Sequence, residues 1–440
     1  MLIRLVVDNY KSIGEELEFN MLPMQYKKTF PHHVHEGKHV RVLKTAALYG
    51  ANGAGKSNVF DALNYLQELV VGEHNVPKST THITYRLNAE KRSEPIRFEV
   101  EFTYSGFALA YGLEMSNGQI LSEYLYELGF KDDDVLIFER KLIDEEISIS
   151  LNDKKYFKLK GDRGFVEILK EHFLENDTPL LRHANLFKKP IIQAAYDWFS
   201  KSLFIITPDS KFAPLVEALN DSHFNTFANN ILNSLNTGIE KVEVELIPIE
   251  EYGGDPAIIN EVKALLESNP DQRAIIDESG VTAAMVNGLV VVMKPYSYHV
   301  DDNGEPVQFE INEESDGSRR IIDYMPLFQI LMSDATVIVD EFERSIHPSL
   351  LKAVVKKILA PESNLQGQLI FSTHDCNLLD QSIFRQDEIW FVEKNQGKTT
   401  MYPLTDFDVR PEIDINKGYL KGRFGAIPFL GNLENLKWTY

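Results

Sequence analysis

Apolar positions along this chain recur with two periods, one close to two residues and one close to 3.6, and the switches between them divide it into blocks. Residues 2–7 and 17–22 read as a pair of strands with a turn at Ser12-Ile13-Gly14 between them. Ala46-Ala47-Leu48-Tyr49 is a short apolar strand, and Asn58 to Leu69 is compatible with a helix. In 96–128, Ile96, Phe98, Val100 and Phe102 alternate with Arg97, Glu99 and Glu101, which predicts an antiparallel meander with one buried face. From Gly164 to about Asn236 the period turns helical, carried by Phe165, Ile168, Leu169 and Phe173 and later by Phe224, Phe227, Ile231, Leu232 and Leu235. A short helix over Ala257–Leu266, a strand over Gly288–Lys294 and a helix over Ser318–Met332 follow. Thr336–Val339 and Leu369–Thr373 are apolar strands rich in residues that favour sheets. Between them, Ser345-Ile346-His347-Pro348 turns into a helix with Leu350, Leu351, Val354, Val355, Ile358 and Leu359 on one face, Pro348 suiting its first turn.

At 440 residues the chain has length for two or three domains, and 43% hydrophobic content supplies a sizeable core. Its single cysteine, Cys376, cannot form an internal disulfide, and no apolar run approaches a membrane span, Leu289 to Met293 being among the longest. The opening residues are too short and too soon charged for a signal peptide, so a cytoplasmic protein with no membrane segment is expected. A formal charge of −21 disfavours nonspecific attraction to nucleic acid, which depends on Lys and Arg displacing counterions. The basic residues Lys417, Lys421 and Arg423 cluster in a glycine-punctuated C-terminal segment that reads as a solvated loop. His32, His33, His35 and His39 match no common metal-ligand spacing and are expected to form a surface loop near the nucleotide. There is no internal repeat or low-complexity tract, and no heptad run long enough for an extended coiled coil.

Four motifs carry the chemistry. Gly50-Ala51-Asn52-Gly53-Ala54-Gly55-Lys56-Ser57, after a strand and before a helix, is a P-loop. There the backbone around Asn52, Gly53 and Gly55 faces phosphate, with Lys56 reaching the terminal phosphates, Ser57 ligating Mg²⁺ and Asn58 beside them. Asp340-Glu341 at the exit of an apolar strand forms a Walker B pair, with Asp340 on the Mg²⁺ shell and Glu341 activating water. Glu314-Ser315-Asp316-Gly317-Ser318-Arg319-Arg320 opens a helix some twenty residues earlier, where Ser315 and the Gly317 backbone suit an anion; its place resembles that of an ABC signature motif, which implies the γ-phosphate held by a second protomer. His374, after the strand Leu369–Thr373, stands where a switch histidine contacts the γ-phosphate. The expected fold is an α/β ABC-type P-loop ATPase head of mixed sheet plus antiparallel β-subdomain: residues 1–160, a mainly helical insertion at 161–280, and 281–440.

The opening Asn9-Tyr10-Lys11-Ser12 with Leu17-Glu18-Phe19 resembles RecF- and SMC-type heads, which implies a nucleotide contact for Lys11 and Ser12. Adding the motifs above and the ending Gly418-Tyr419-Leu420-Lys421-Gly422-Arg423-Phe424-Gly425-Ala426-Ile427-Pro428-Phe429-Leu430, the chain resembles prokaryotic OLD/ABC ATPases, the AAA15 group, including the ATPase halves of AbiL (RloA-like) and PARIS phage-defence systems. The signature reads Ser-Asp-Gly-Ser rather than Leu-Ser-Gly-Gly-Gln, and no Q-loop glutamine is assignable. The resemblance implies Mg²⁺ and ATP as cofactors, a homodimer or larger ring, and a sensor in abortive-infection defence. It further implies a separately encoded TOPRIM-type nuclease as partner and a phage protein or DNA as trigger. The alternative is a RecF/SMC-like repair ATPase that clamps DNA directly.

Overall fold

The computed structural model describes residues 1–26, 29–130, 132–158, 160–208, 215–235, 237–270, 272–276, 281–410 and 413–427. The end of the C-terminal motif, Pro428 to Leu430, lies outside them. The chain divides into two compact units, one of Met1–Thr207, Leu331–Phe342 and Lys356–Tyr440, the other of Pro208–Ile330 and Glu343–Val355.

In the first unit the meander is the middle of a seven-stranded antiparallel sheet, ordered Glu146–Leu151, Val135–Ile143, Gln119–Glu127, Phe107–Ser116, Ile96–Tyr104, Leu2–Asp8 and Leu17–Asn20. Alternation does what a period of two requires: Ile96, Phe98, Val100 and Phe102 are fully buried. On the opposite face Arg4 reaches across to Glu99 at 2.5 Å and Glu101 at 2.6 Å. A second sheet of six strands runs Leu203–Ile206, Thr336–Val339, Gln368–Thr373, Thr45–Tyr49, Ile389–Asn395 and Lys398–Pro403. All its pairings are parallel except the last, between Ile389–Asn395 and Lys398–Pro403. Its central strands are continuous apolar runs rather than alternating ones, as parallel strands covered on both faces must be. The helix Lys56–Val71 buries Val59, Phe60, Leu63, Leu66 and Leu69.

Two expectations change here. Residues 161–207 are not part of an insertion: Trp198 stacks on Phe102 with ring centroids 4.2 Å apart, and Leu203–Ile206 pairs with the strand Thr336–Val339. The histidine-rich segment is also not a plain surface loop. His33 is buried, its Nδ1 2.9 Å from a Glu388 carboxylate oxygen and its Nε2 3.2 Å from the Leu359 carbonyl. Burial raises Glu388 above the usual carboxylate range. Among the described residues no group of three His, Cys, Asp or Glu could hold a metal ion, and no helix is long and apolar enough to cross a membrane.

The second unit combines helices with a sheet. Strands Lys241–Pro248, Leu289–Val300, Thr282–Val286 and Arg273–Ile275 form an antiparallel sheet in that order, with Pro306–Glu310 added to Leu289–Val300. Helices Ser222–Ser234 and Pro256–Ser268 each start on an aspartate cap, Asp221 and Asp255. The expected mainly helical segment at 161–280 therefore falls partly in the first unit and partly in this mixed one. The helix expected from Ser318 runs over Asp316–Ile330, two residues earlier, with Pro326 inside it.

Candidate functional site

Three adjacent parallel strands, Thr336–Val339, Gln368–Thr373 and Thr45–Tyr49, pair in register with Val339 opposite Phe371 and Thr373 opposite Tyr49. Their carboxyl ends therefore deliver Asp340, His374 and the P-loop to one edge of the sheet, where open α/β sheets bind ligands. After Tyr49 the loop turns through Gly53 at φ = 76° and Gly55 at φ = 110°, left-handed values that favour glycine. Gly55 is doubly constrained, because a Cβ there would lie 2.1 Å from Thr399 Oγ1. A Cβ on Gly50 would meet the Val392 carbonyl oxygen at 2.2 Å. The loop is thus seated tightly on the hairpin formed by Ile389–Asn395 and Lys398–Pro403.

Lys56 is buried, and its ammonium donates to the Gly50 carbonyl at 2.7 Å. It also stands 3.2 Å from His374 Nε2 and 3.3 Å from Nδ1. The ammonium can only donate, so the imidazole accepts. Asn52, Gly53 and Ser57 are exposed at the loop surface. A cavity of about 980 Å³ opens above Gly50–Ala54 and is lined also by His374, Cys376, Lys394 and Tyr419.

Asp340 is buried, and Ser372, which sequence reading passed over, holds it: the Ser372 hydroxyl donates to Asp340 Oδ1 at 2.5 Å and accepts the Glu341 N–H at 2.8 Å. Glu341 takes φ = 52°, a left-handed conformation that costs a glutamate roughly 1–2 kcal/mol. One serine on the neighbouring strand thus fixes both carboxylate residues. The only signal available in the sequence is a hydroxyl inside an apolar strand.

The opening motif reaches the same loop. Ser12 Oγ lies 2.7 Å from Thr399 Oγ1 and accepts from the Asn58 amide at 2.5 Å, while Thr399 donates to the Ala54 carbonyl at 2.9 Å. Lys11 pairs with Asp61, which also accepts the Tyr10 hydroxyl at 2.5 Å. Burial, and then Asp61, push the Tyr10 phenol far above its usual value. Lys11, Ser12 and Asn58 line a second cavity, of about 390 Å³.

Ser315 and Gly317 belong to the second unit. Ser315 Oγ accepts the Ser318 N–H at 3.1 Å, capping the helix Asp316–Ile330. Gly317 packs so closely on the Ser345 carbonyl that a Cβ would stand 2.8 Å from it, and Ser345 itself has φ = 63°. Glu314 anchors the start of the motif by accepting Ser297 Oγ and pairing with His299 Nε2, each at 2.6 Å.

The family described as "AAA domain, putative AbiEii toxin, Type IV TA system" matches residues 46–380, from the P-loop strand past His374. No curated protein matches the chain. Among solved structures it is similar to an SMC head bound to the C-terminal winged-helix domain of ScpA, with TM-score 0.47, 12% identity and coverage of 91% of this chain and 97% of that one. It is also similar to the SMC head domain from Thermotoga maritima (TM-score 0.40, 13% identity, coverage 91% and 98%). An Smc head with an extended coiled coil bound to the C-terminal domain of ScpA, derived from Pyrococcus furiosus, has TM-score 0.43, 11% identity and coverage of 96% and 98%.

Proposed function

The chain belongs to this AAA-domain family, and from that premise we propose that it is a Mg²⁺-dependent ATPase that acts as sensor and regulator in antiviral defence. The observation that carries the ATPase reading is the convergence of Lys56, His374, Asp340 and Glu341 at the ends of three neighbouring parallel strands. In this reading the P-loop N–H groups and Lys56 take the β- and γ-phosphates, and Ser57 and Asp340 complete the Mg²⁺ shell. Glu341 polarises the attacking water, and His374 steadies the terminal phosphate. Ser315 and the Gly317 backbone close the site of a second protomer in a homodimer or larger ring.

The defence role draws support from the toxin and type IV TA system in the family's description and from the resemblance to AbiL- and PARIS-type ATPases. The partner it controls is a separately encoded nuclease of TOPRIM type, released when a phage protein or DNA triggers the ATPase. Glu341→Gln tests the chemistry: turnover is expected to fall by about 10²- to 10⁴-fold with ATP still bound, as for loss of a group that handles the water proton. Wild-type turnover by Glu341→Gln would remove Glu341 from the mechanism. Tight, salt-sensitive binding of duplex DNA by the isolated chain would replace the regulator with an ATPase that clamps DNA itself.

A further inference from the structure

Asn9 is fully buried, and the hydrogen bonds of its side chain go to the stretch 85–95. Its amide nitrogen donates to the carbonyls of Lys91 at 2.7 Å, Glu94 at 2.9 Å and Pro95 at 3.2 Å, and its Oδ1 accepts the Tyr85 N–H at 3.2 Å. Two residues on, the Lys11 N–H donates to the Ile83 carbonyl at 2.7 Å. Asn9 sits at φ = 59°, a left-handed conformation that asparagine tolerates better than most residues. The opening motif therefore grips residues 83–95, a stretch without regular structure as far as the strand that begins at Ile96.

That stretch is a wall of the second cavity, where Tyr85, Arg86 and Leu87 face Lys11, Ser12 and Asn58. Asn58 lies in the first turn of the P-loop helix, so the cavity opens directly beside the phosphate-binding loop. The larger cavity shares Lys394 and Gly397 with this one and is lined by His374, whose Nε2 stands 3.2 Å from the Lys56 ammonium. With its terminal phosphate at Lys56 and His374, a nucleoside triphosphate that reaches into the second cavity would bring its sugar and base to Asn58 and Ser12. The volume of about 390 Å³ is within the range of about 300–1,000 Å³ usual for small-molecule sites. Leu87 supplies an apolar surface there: it is 71% exposed, and a Cβ on Gly397 would lie 2.2 Å from its Cδ1.

We propose that Asn9 is a positioning residue for nucleotide binding, holding the 83–95 segment so that Leu87 and Arg86 confront the nucleoside half of the ligand. This rests on the ATPase reading. The two protons of this amide are shared among three backbone carbonyls, of which Lys91 also accepts the Glu94 N–H, and its oxygen takes the Tyr85 N–H, so its loss removes a hub of main-chain hydrogen bonds and frees the wall. The phosphate half, held by the P-loop and Lys56, is not touched by the change.

The test is calorimetric titration of the full chain with Mg-ATP and, separately, with Mg-tripolyphosphate, which has the phosphates and no nucleoside. Asn9→Ala is expected to weaken ATP about tenfold or more, the scale of losing one or two buried hydrogen bonds, with tripolyphosphate changed less than about twofold. Leu87→Asp, at a position 71% exposed, is expected to show the same split. If folded Asn9→Ala loses ATP and tripolyphosphate equally, or if Leu87→Asp binds ATP as the wild type does, the positioning role is overturned while the ATPase reading stands. If the wild type binds neither ligand, the ATPase reading itself fails, and this proposal with it.

Discussion

The ammonium of Lys56 lies 3.2 Å from Nε2 of His374, although 318 residues separate them in the chain. On the proposed ATPase reading the two groups flank the terminal phosphate, and they should fail in different ways when removed. Lys56→Ala is expected to lose nucleotide affinity outright. His374→Ala should bind ATP within a few-fold of the wild type and lose about 10²- to 10³-fold in turnover, the usual scale for one group that stabilises transition-state charge. Calorimetry combined with phosphate release separates the two; equal loss of binding in both variants would remove His374 from a transition-state role.

Ser372→Ala takes away the hydroxyl that serves both Asp340 and the Glu341 N–H. The fold should weaken by about 1–3 kcal/mol, the scale of leaving buried polar groups unsatisfied. Turnover should fall as well, with the Mg²⁺ concentration for half-maximal rate displaced upward because Asp340 is no longer held. An unchanged Mg²⁺ titration would mean that the serine is only a packing residue.

Cys376 offers a clean chemical probe, being the only cysteine in the chain and lining the larger cavity beside His374. Burial and then the Asp375 carboxylate raise its thiol above the usual value. A raised value means less thiolate at neutral pH, so alkylation should be slow at pH 7 and accelerate as pH climbs toward and past the ordinary thiol range. Mg-ATP should slow the labelling further by filling the cavity. Labelling that is fast at pH 7, or indifferent to ATP, would contradict this placement.

Gly317 and Ser315 can be tested by mixing. Proteins carrying Lys56→Ala and Ser315→Arg, each inactive alone, should regain activity when subunits exchange, because hybrid dimers contain one site with an intact P-loop and an intact signature. Gly317→Ala should damage that signature by a different route, since its Cβ would stand 2.8 Å from the Ser345 carbonyl. Overpacking of this kind costs about 1–3 kcal/mol. No recovery on demonstrated exchange would argue against a site shared between protomers.

The strands that carry the chemistry were legible because they are buried on both faces, and uninterrupted runs such as Val337-Ile338-Val339 and Leu369-Ile370-Phe371 announce themselves. The strand at Val135–Ile143 was not, because three successive charged residues, Glu139, Arg140 and Lys141, interrupt its apolar run, whereas Lys241–Pro248 alternates Val242 and Val244 with Glu243 and Glu245 as the meander does and its signal was overlooked. Leu203–Ile206 is only four residues long and follows a helical run, so its pattern is lost among its neighbours. The site divides along the same line. Motif residues are marked by spacing, whereas Ser372 and Asn9 matter through hydrogen bonds to groups 31 and 76–86 residues distant, which no local pattern encodes.

Thr399 donating to the Ala54 carbonyl has a consequence for how the protein comes into being. The two residues are 345 positions apart, and the threonine packs so closely on Gly55 that a Cβ there would lie 2.1 Å from its hydroxyl. A ribosome adding about 5–20 residues per second needs roughly 20–70 s to cover the distance. Throughout that time the emerging chain displays a glycine-rich loop whose supporting hairpin has not yet been made. On the ATPase reading, capture of ATP is therefore expected only once this hairpin has emerged, and a chain truncated before it would carry the loop's letters without its grip.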